Sequence, residues 1–455
     1  MMDRKDLQEL KTIVGEEWVS TGDSVRELHS HDESFHPWVL PDVVVWPHST
    51  EEVSRLVRWA YDHKVPVTPW GAGTSLEGNP IPVKGGMVID LQEMDRILEI
   101  RQGDFQVDVE AGVVYKDLNK ELRRYGLFFP PDPGAAATIG GMIGNNASGI
   151  RTVKYGPTRE YVLRLVVVLP GGEVIRVGNR ARKSSSGYDL LRLFTGAEGT
   201  LGIVTEATLR LVGLPENFMA LRATFPTVSD ATDTVFQVMS SGLVPSAMEF
   251  LDAEVVKVLN RDRELELEES PTLLMEFDGY SEEGLKAEMA FVEGICRENR
   301  SLLIDKGIGP DERNRLWEIR HLTFESIKRA HPGLEPLIMD VAVPLSRYSE
   351  MVAFVKEEVS DLTAYLFGHA GDGNIHVVVM DRPGDEARWR RVQEANRRVV
   401  LKALELEGTC TGEHGVGIGK REFAAREHGE ALEVMKRIKE TLDPHGLMNP
   451  GKIFP

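Results

Sequence analysis

Cysteine is nearly absent: the 455-residue chain has two, Cys296 and Cys410. They lie far apart and fit no Cys-x-x-Cys motif, which suits a reducing, cytosolic setting. A basic excess is absent too. The formal charge of −19 opposes nucleic-acid binding, which leaves a basic footprint. It also argues against a purely electrostatic hold on anionic lipid. No run of 18 apolar residues occurs, so no helix is expected to span a membrane. The opening MMDRKDLQELKTIVGEEW is charged throughout and has no apolar signal region. Internal repeats and low-complexity tracts are missing as well. What remains is ordinary for a globular protein, with 42% hydrophobic and 27% charged residues. The length allows two or three domains with real cores.

Three glycine-rich stretches stand out. Pro130 to Gly149, PPDPGAAATIGGMIGNNASG, has one charged residue, Asp132, and almost no bulk. Such a stretch suits either a loop packed on a helix or backbone laid flat against a large ligand. Trp70 to Gly78, WGAGTSLEG, follows the apolar run Val65 to Pro69. Its backbone N–H groups and hydroxyls could receive a pyrophosphate. It is neither the Rossmann pattern nor a Walker loop. Thr195 to Glu206, TGAEGTLGIVTE, runs from glycines into Ile203-Val204. Three such segments beside predicted strands suggest one extended nucleotide touched in several places.

The chain between them reads as an α+β protein. Leu7, Leu10, Ile13 and Val14 predict a short amphipathic helix. Strands are expected at 42–47, 65–69, 87–90, 97–100, 105–109 and 203–211, with a hairpin around Pro170-Gly171-Gly172. Ser49 and Glu52 form a predicted capping box for a helix carrying Val53, Leu56, Val57 and Ala60. The glycine-rich texture stops near Leu214-Pro215. Two β-α-β-style runs follow and predict a ferredoxin-like antiparallel sheet with helices on one face. The acidic cluster Arg261 to Glu269 is expected to be a solvated helix face or loop.

The second half carries acid–base residues. Gly368-His-Ala-Gly-Asp-Gly-Asn-Ile-His376 joins two histidines by strong turn chemistry that can fold His376 back toward His369. That pair is either half of a metal site or two independent surface histidines. Glu413-His414 follows, with Gly412, Gly415, Gly417 and Gly419 excluding bulk around it. Two histidines and one glutamate make a catalytic-type ligand set with an open position. A helix-start loop with a capping acid would also explain Glu413-His414.

GAGTSLEG, PPDP…TIGG and GYDLLRLFTGAEGTLGIVTE resemble the flavin-binding domain of the vanillyl-alcohol oxidase and p-cresol methylhydroxylase type. GHAGDGNIH, GTCTGEHGVGIGKR and DPHGLMNPGKIF resemble the FAD-linked D-lactate dehydrogenases, a group close to the flavoprotein component of glycolate oxidase and to D-2-hydroxyglutarate dehydrogenase. The likeness runs from about Val43 to the C-terminus. It implies a two-part FAD-binding domain and a ferredoxin-like antiparallel-sheet substrate, or cap, domain. The expected division is an N-terminal helical segment 1–37, a FAD-binding domain 38–214, a substrate domain 215–440 with the metal site, and a tail 441–455 returning to the FAD domain. Candidate FAD-binding residues are Pro69, Gly71, Ala72, Gly73, Thr74, Ser75 and Gly78; Pro131, Asp132, Thr138, Gly140, Gly141, Asn145, Ala147 and Gly149; Glu198, Gly199, Gly202, Ile203 and Val204; and Asn449, with Lys452 beside it in the tail. No histidine or cysteine lies in the first two stretches, so the FAD is expected to be non-covalent.

The resemblance carries His369, His376 and Glu413 over as ligands of a divalent metal, and His414 as the base. Mixed nitrogen and oxygen ligands suit Zn²⁺, Mn²⁺ or Fe²⁺. Arg320 stands where related dehydrogenases clamp the substrate carboxylate, although its helix has several other arginines. Val378 replaces a polar amide of the D-2-hydroxyglutarate relatives, which favours a short substrate. The expected activity is FAD- and metal-dependent oxidation of a small D-2-hydroxy acid, D-lactate foremost, to its 2-oxo acid. The electron acceptor is expected to be a cytochrome, a quinone or a partner flavoprotein. A glycolate oxidase component needing partner chains, a D-2-hydroxyglutarate dehydrogenase and a non-catalytic flavin carrier are the rival readings. The expected location is cytoplasmic or peripheral at the inner membrane, as a homodimer or with partner subunits.

Overall fold

The computed structural model describes residues 2–455. Its contacts divide the chain into two units. The first takes residues up to Ser148, Pro157–Leu214 and Glu413–Pro455; the second takes Gly149–Gly156 and Pro215–Gly412.

Among the described residues the first unit pairs Leu127–Phe128 with Val212–Gly213 in a two-stranded sheet and holds two larger sheets. In one, Val43–Val45, Met87–Asp90 and Val67–Trp70 run parallel, with Val19–Ser20 antiparallel on the edge. Val43–Val45 and Met87–Asp90 are wholly buried, as parallel strands usually are. The helix Thr50–His63 turns Val53, Leu56, Val57 and Ala60 into the same core. Ser49 caps it by accepting the Glu52 N–H, but Glu52 reaches the His48 N–H, so the predicted reciprocal box is not closed. The helix Arg4–Val14 adds Leu10 and Val14 to this core and so belongs to the unit, not to a separate segment. The second sheet is antiparallel, in the order Ile97–Arg101, Gln106–Glu110, Ile203–Arg210, Val162–Val168, Val174–Gly178.

The last segment returns to this unit from Glu413, earlier than the 441–455 tail expected. The helix Ala431–Leu442 leads to Leu447, whose carbonyl accepts the Val67 N–H. The Asn449 N–H donates to the Val67 carbonyl, making a parallel bridge from Val67 to Met448.

The second unit is built on a seven-stranded antiparallel sheet. Its order is Leu303–Ile308, Asn217–Thr224, Thr272–Gly279, Ala247–Leu251, Ala364–His369, Asn374–Asp381, Glu335–Ala342. Ala247–Leu251 and Asn374–Asp381 are buried at every residue, so both faces of the sheet are covered where one was expected. On one face the helices Ala253–Arg263 and Pro310–Ala330 share an apolar cluster with Leu274, Tyr365, Val378 and Met380. Arg261 to Arg263 end the first of these helices; the rest of the acidic cluster is loop. Among the described residues no helix is long and apolar enough to cross a membrane. Both cysteines are buried and neither is in a disulfide, and burial pushes the Cys296 thiol up to about 12.

Candidate active site

In the first unit the three glycine-rich stretches meet. A Cβ on Gly71 would lie 2.4 Å from Thr138 Oγ1, and one on Gly199 would lie 2.3 Å from Pro69 Cγ. The N–H groups of Gly196 and Glu198 donate to the carbonyls of Ile143 and Gly144. The loop after Trp70 is half-buried, and no backbone carbonyl among the described residues accepts from the N–H groups of Ala72 to Ser75. The short helix Ile139–Asn145 buries Ile139, Met142 and Ile143 and leaves Gly141 exposed and Gly144 and Asn145 half-buried. Unclaimed N–H groups beside small, uncharged backbone fit the phosphates and flat rings of a dinucleotide.

The glycines of this cradle have different reasons. Gly140 packs on Ala111, whose Cβ would lie 2.8 Å from a new methyl, whereas Gly141 meets only Thr138 Oγ1 at 3.2 Å. Gly202 passes the Val168 carbonyl, with Ile203 and Val204 opening the strand behind it. Pro131 and Ala147 are buried and Asp132 is half-buried. Gly78 is held by Asp32, which accepts its N–H at 2.8 Å. Gly149 belongs to the short segment assigned to the second unit. Asn449 spends its side-chain amide on the carbonyls of Asn79 and Glu198, at 3.0 and 2.7 Å. Lys452 donates to the Ile81 carbonyl at 2.6 Å, and burial brings its ammonium down to about 8.

Glu413 and His414 open the last segment of this unit. Asn145 Nδ2 donates to the His414 carbonyl at 3.2 Å, and Ser148 Oγ donates to Glu413 Oε2 at 3.4 Å. Glu413 Oε1 lies 3.8 Å from His414 Nε2. Gly415 and Gly417 have left-handed φ values of +82° and +48°. A Cβ on Gly417 would strike the Glu77 carbonyl at 2.1 Å, which is why bulk is excluded there.

In the second unit the turn after Gly368 folds as the residue pattern predicts. A 3₁₀ turn at Ala370–Asp372 and a left-handed Gly373 bring His376 beside His369. Their ring centroids are 5.2 Å apart, nearly perpendicular, and both residues are buried. Each imidazole has a carboxylate behind its Nδ1. Glu249, paired across the sheet with His369, takes it at 2.6 Å. Asp340, paired with His376, lies 3.6 Å from that ring's Nδ1. The Glu249 bond sets the His369 tautomer and leaves its Nε2 for an ion. Asp340 places a negative charge near His376 without a hydrogen bond to its Nδ1. Two adjacent imidazoles so placed fit a metal.

Glu249 also accepts from Arg320 Nε at 2.6 Å, and the guanidinium stands 5.0 Å from the Phe367 ring. Burial pushes the Glu249 carboxyl up, but His369 and Arg320 outweigh it and hold the group below its ordinary value. Asp340 further accepts from Asn374 Nδ2, Thr411 Oγ1 and the Gly412 N–H. Glu249 and Asp340 are absent from the sequence-based candidates. Their signal is an acid inside an apolar strand, in Ala247-Met-Glu-Phe-Leu251 and Ile338-Met-Asp-Val-Ala342. The structure thus brings His369, His376 and Arg320 together in one unit, and His414 and Glu413 together in the other.

Residues 214–453 match the family model of the C-terminal domain of FAD linked oxidases, and residues 41–178 match that of an FAD binding domain. The chain is 41% identical to a probable mitochondrial D-lactate dehydrogenase of Danio rerio, over 98% of this chain and 90% of that one. It is 42% identical to a mitochondrial D-lactate dehydrogenase (cytochrome) of Arabidopsis thaliana, over 99% of this chain and 80% of that one. Among solved structures, p-cresol methylhydroxylase with substrate bound superposes with a TM-score of 0.78 at 15% identity, over 99% of this chain and 96% of that one. That likeness establishes the vanillyl-alcohol oxidase/p-cresol methylhydroxylase type of fold.

Proposed function

The chain belongs to the FAD-linked oxidase family, and we propose that it is a dehydrogenase that oxidises a short D-2-hydroxy acid, D-lactate foremost, to the 2-oxo acid. The observation that carries the reading is Glu249, one buried carboxylate shared by His369 and Arg320. It sets a metal-competent imidazole beside a guanidinium suited to a carboxylate. The identity to proteins named D-lactate dehydrogenase supports the same choice.

Bound FAD supplies the hydride acceptor and much of the redox chemistry. His369 and His376 would hold a divalent ion, Zn²⁺, Mn²⁺ or Fe²⁺, with Glu413 as third ligand. The ion would supply Lewis-acid polarisation of the 2-hydroxyl. Glu413 is one peptide bond from Gly412, whose N–H is fixed by Asp340. Arg320 has its Nε engaged and keeps its two outer nitrogens for the substrate carboxylate. Phe367 beside it and the buried Val378 offer no partner to a second carboxylate. His414 takes the hydroxyl proton as general base near neutral pH. A cytochrome, a quinone or a partner flavoprotein would serve as the final electron acceptor.

The test is anaerobic mixing of the yellow holoprotein with D- and L-lactate, glycolate, D-2-hydroxybutyrate and D-2-hydroxyglutarate. D-Lactate and D-2-hydroxybutyrate are expected to bleach the flavin fastest. Absence of bleaching with every acid would make the protein a flavin carrier, and bleaching by D-2-hydroxyglutarate alone would refute the short substrate. His376→Ala and Glu413→Ala should each lose metal, measured by elemental analysis, while keeping flavin.

A further inference from the structure

Glu198 lies in the flavin-binding stretch, yet its carboxylate is not left for the cofactor. It accepts the Val416 N–H at 2.6 Å and the Gly417 N–H at 2.9 Å. Its own N–H donates to the Gly144 carbonyl, and its carbonyl accepts from Asn449 Nδ2. The residue is buried and has a left-handed φ of +50°. A bulky residue held in that region marks a position fixed by its surroundings, and such positions gather at functional sites. Four segments of the first unit therefore meet on one side chain and its backbone: the short helix, the flavin loop, the Glu413–Gly417 loop and the tail. The same helix grips that loop a second time, because Asn145 donates to the His414 carbonyl. Gly415 crosses close above: a Cβ there would lie 2.9 Å from Glu198 Oε1.

We propose that Glu198 is a positioning residue that holds the His414 loop in register with the flavin-binding elements. This rests on the reading of His414 as the base. The chemistry calls for an acid. Two converging N–H groups need two acceptor oxygens, and a carboxylate offers both without a donor of its own. Glutamine would turn an NH₂ group toward one of those N–H groups and push the loop away. A displacement of that size costs reaction rate more than it costs binding, because proton transfer depends on tenths of an ångström.

The experiment compares wild type, Glu198→Gln, His414→Ala and the double variant as FAD-loaded protein in anaerobic stopped flow with D-lactate. Glu198→Gln should keep its flavin, with the apparent Kd for the acid within about twofold. Its limiting rate of flavin reduction should fall about 10²-fold. In the His414→Ala background the same change should cost almost nothing further, since a residue acting through His414 has nothing left to position. A full additional loss in the double variant, or loss of flavin from Glu198→Gln, would overturn the proposal. A crippled His414→Ala beside a normal Glu198→Gln would overturn it while leaving the base intact. A normal His414→Ala would remove the base and the proposal with it. If Glu198→Gln yields no soluble protein, Asn145→Ala takes its place. That variant should slow reduction by loosening the same loop, and an unchanged rate would refute the idea.

Discussion

Replacing Glu249 by glutamine is the sharpest test of the second unit. The side chain is fully buried and receives two donors, His369 Nδ1 and Arg320 Nε, one on each oxygen. Glutamine fills the same volume but has one acceptor, so its NH₂ faces an N–H whichever way it turns. One charge-assisted bond is lost, and a guanidinium with only 12% of its side chain exposed loses its counter-charge. Breaking a buried pair in this way costs about 3 kcal/mol. For a unit of about two hundred residues that is a fall in Tm of roughly 6–12 °C. His369 also loses the partner that fixes its tautomer, so metal affinity should drop about 10- to 100-fold. Calorimetry on the holoprotein gives the first quantity, and competition with a zinc-binding dye gives the second. A Tm within about 2 °C of wild type together with unchanged metal affinity would refute the shared-carboxylate argument.

Other outcomes follow from the same geometry. Arg320→Lys should raise KM for the acid and lower kcat, for a loss of about 10² in kcat/KM, because a point charge cannot bond Glu249 and hold a carboxylate in a plane together; steady-state kinetics checks it. Gly412→Ala puts a Cβ 2.0 Å from Asn374 Nδ2 and should evict that amide from Asp340, costing about 1–3 kcal/mol in urea unfolding. Gly141→Val should lower FAD occupancy, read from absorbance ratios, with little effect on the melting of the apoprotein, whereas Gly140→Val should destabilise the fold itself against Ala111. His36 is buried, chiefly by desolvation brought down from 6.5 to about 4. Its folded pKa is the lower one, so its contribution is complete above pH 6.5 and is lost as pH falls toward 4, by about 3 kcal/mol in all. His36→Gln should flatten the stability difference across that window, measured by urea titration at several pH values.

Much of this is legible in the residues. Local signals do well where the physics is local: the turn Gly371-Asp-Gly-Asn374 and the cap at Ser49. The period-two reading of Phe105 to Val109 fares less well, since the strand begins at Gln106, is buried at every residue and leaves Phe105 exposed. Val392, Ala395, Val399, Val400 and Ala403 mark the helix Glu386–Glu405 at helical spacing, yet its many charges make it read as surface. Ala253–Arg263 escapes a local reading for a similar reason, since its burial depends on distant partners such as Leu316. Leu303–Ile308 is a mostly exposed edge strand whose place is set only by its pairing with Asn217–Thr224. The roles of Glu249, Asp340 and Glu198 are not local either. Each acts on a group brought near by sheet register or by a loop distant in the chain. Asn449 and Gly140 look like ligand contacts because of their motifs. The structure spends the Asn449 amide on two carbonyls and the missing Gly140 side chain on Ala111.

The division of the chain also sets an order of events during synthesis. Val67 is an early residue, but its neighbour in the bridge is Met448. Ribosomes add roughly 5–20 residues per second, so the strand Val67–Trp70 waits on the order of tens of seconds for that neighbour. Meanwhile nearly all of the second unit, Pro215–Gly412, has already emerged. The unit that begins first is therefore the one that finishes last, and a flavin-ready cradle exists only once the closing segment is out. Nascent chains stalled before Glu413 should therefore contain a protease-resistant second unit and an open, flavin-free first one.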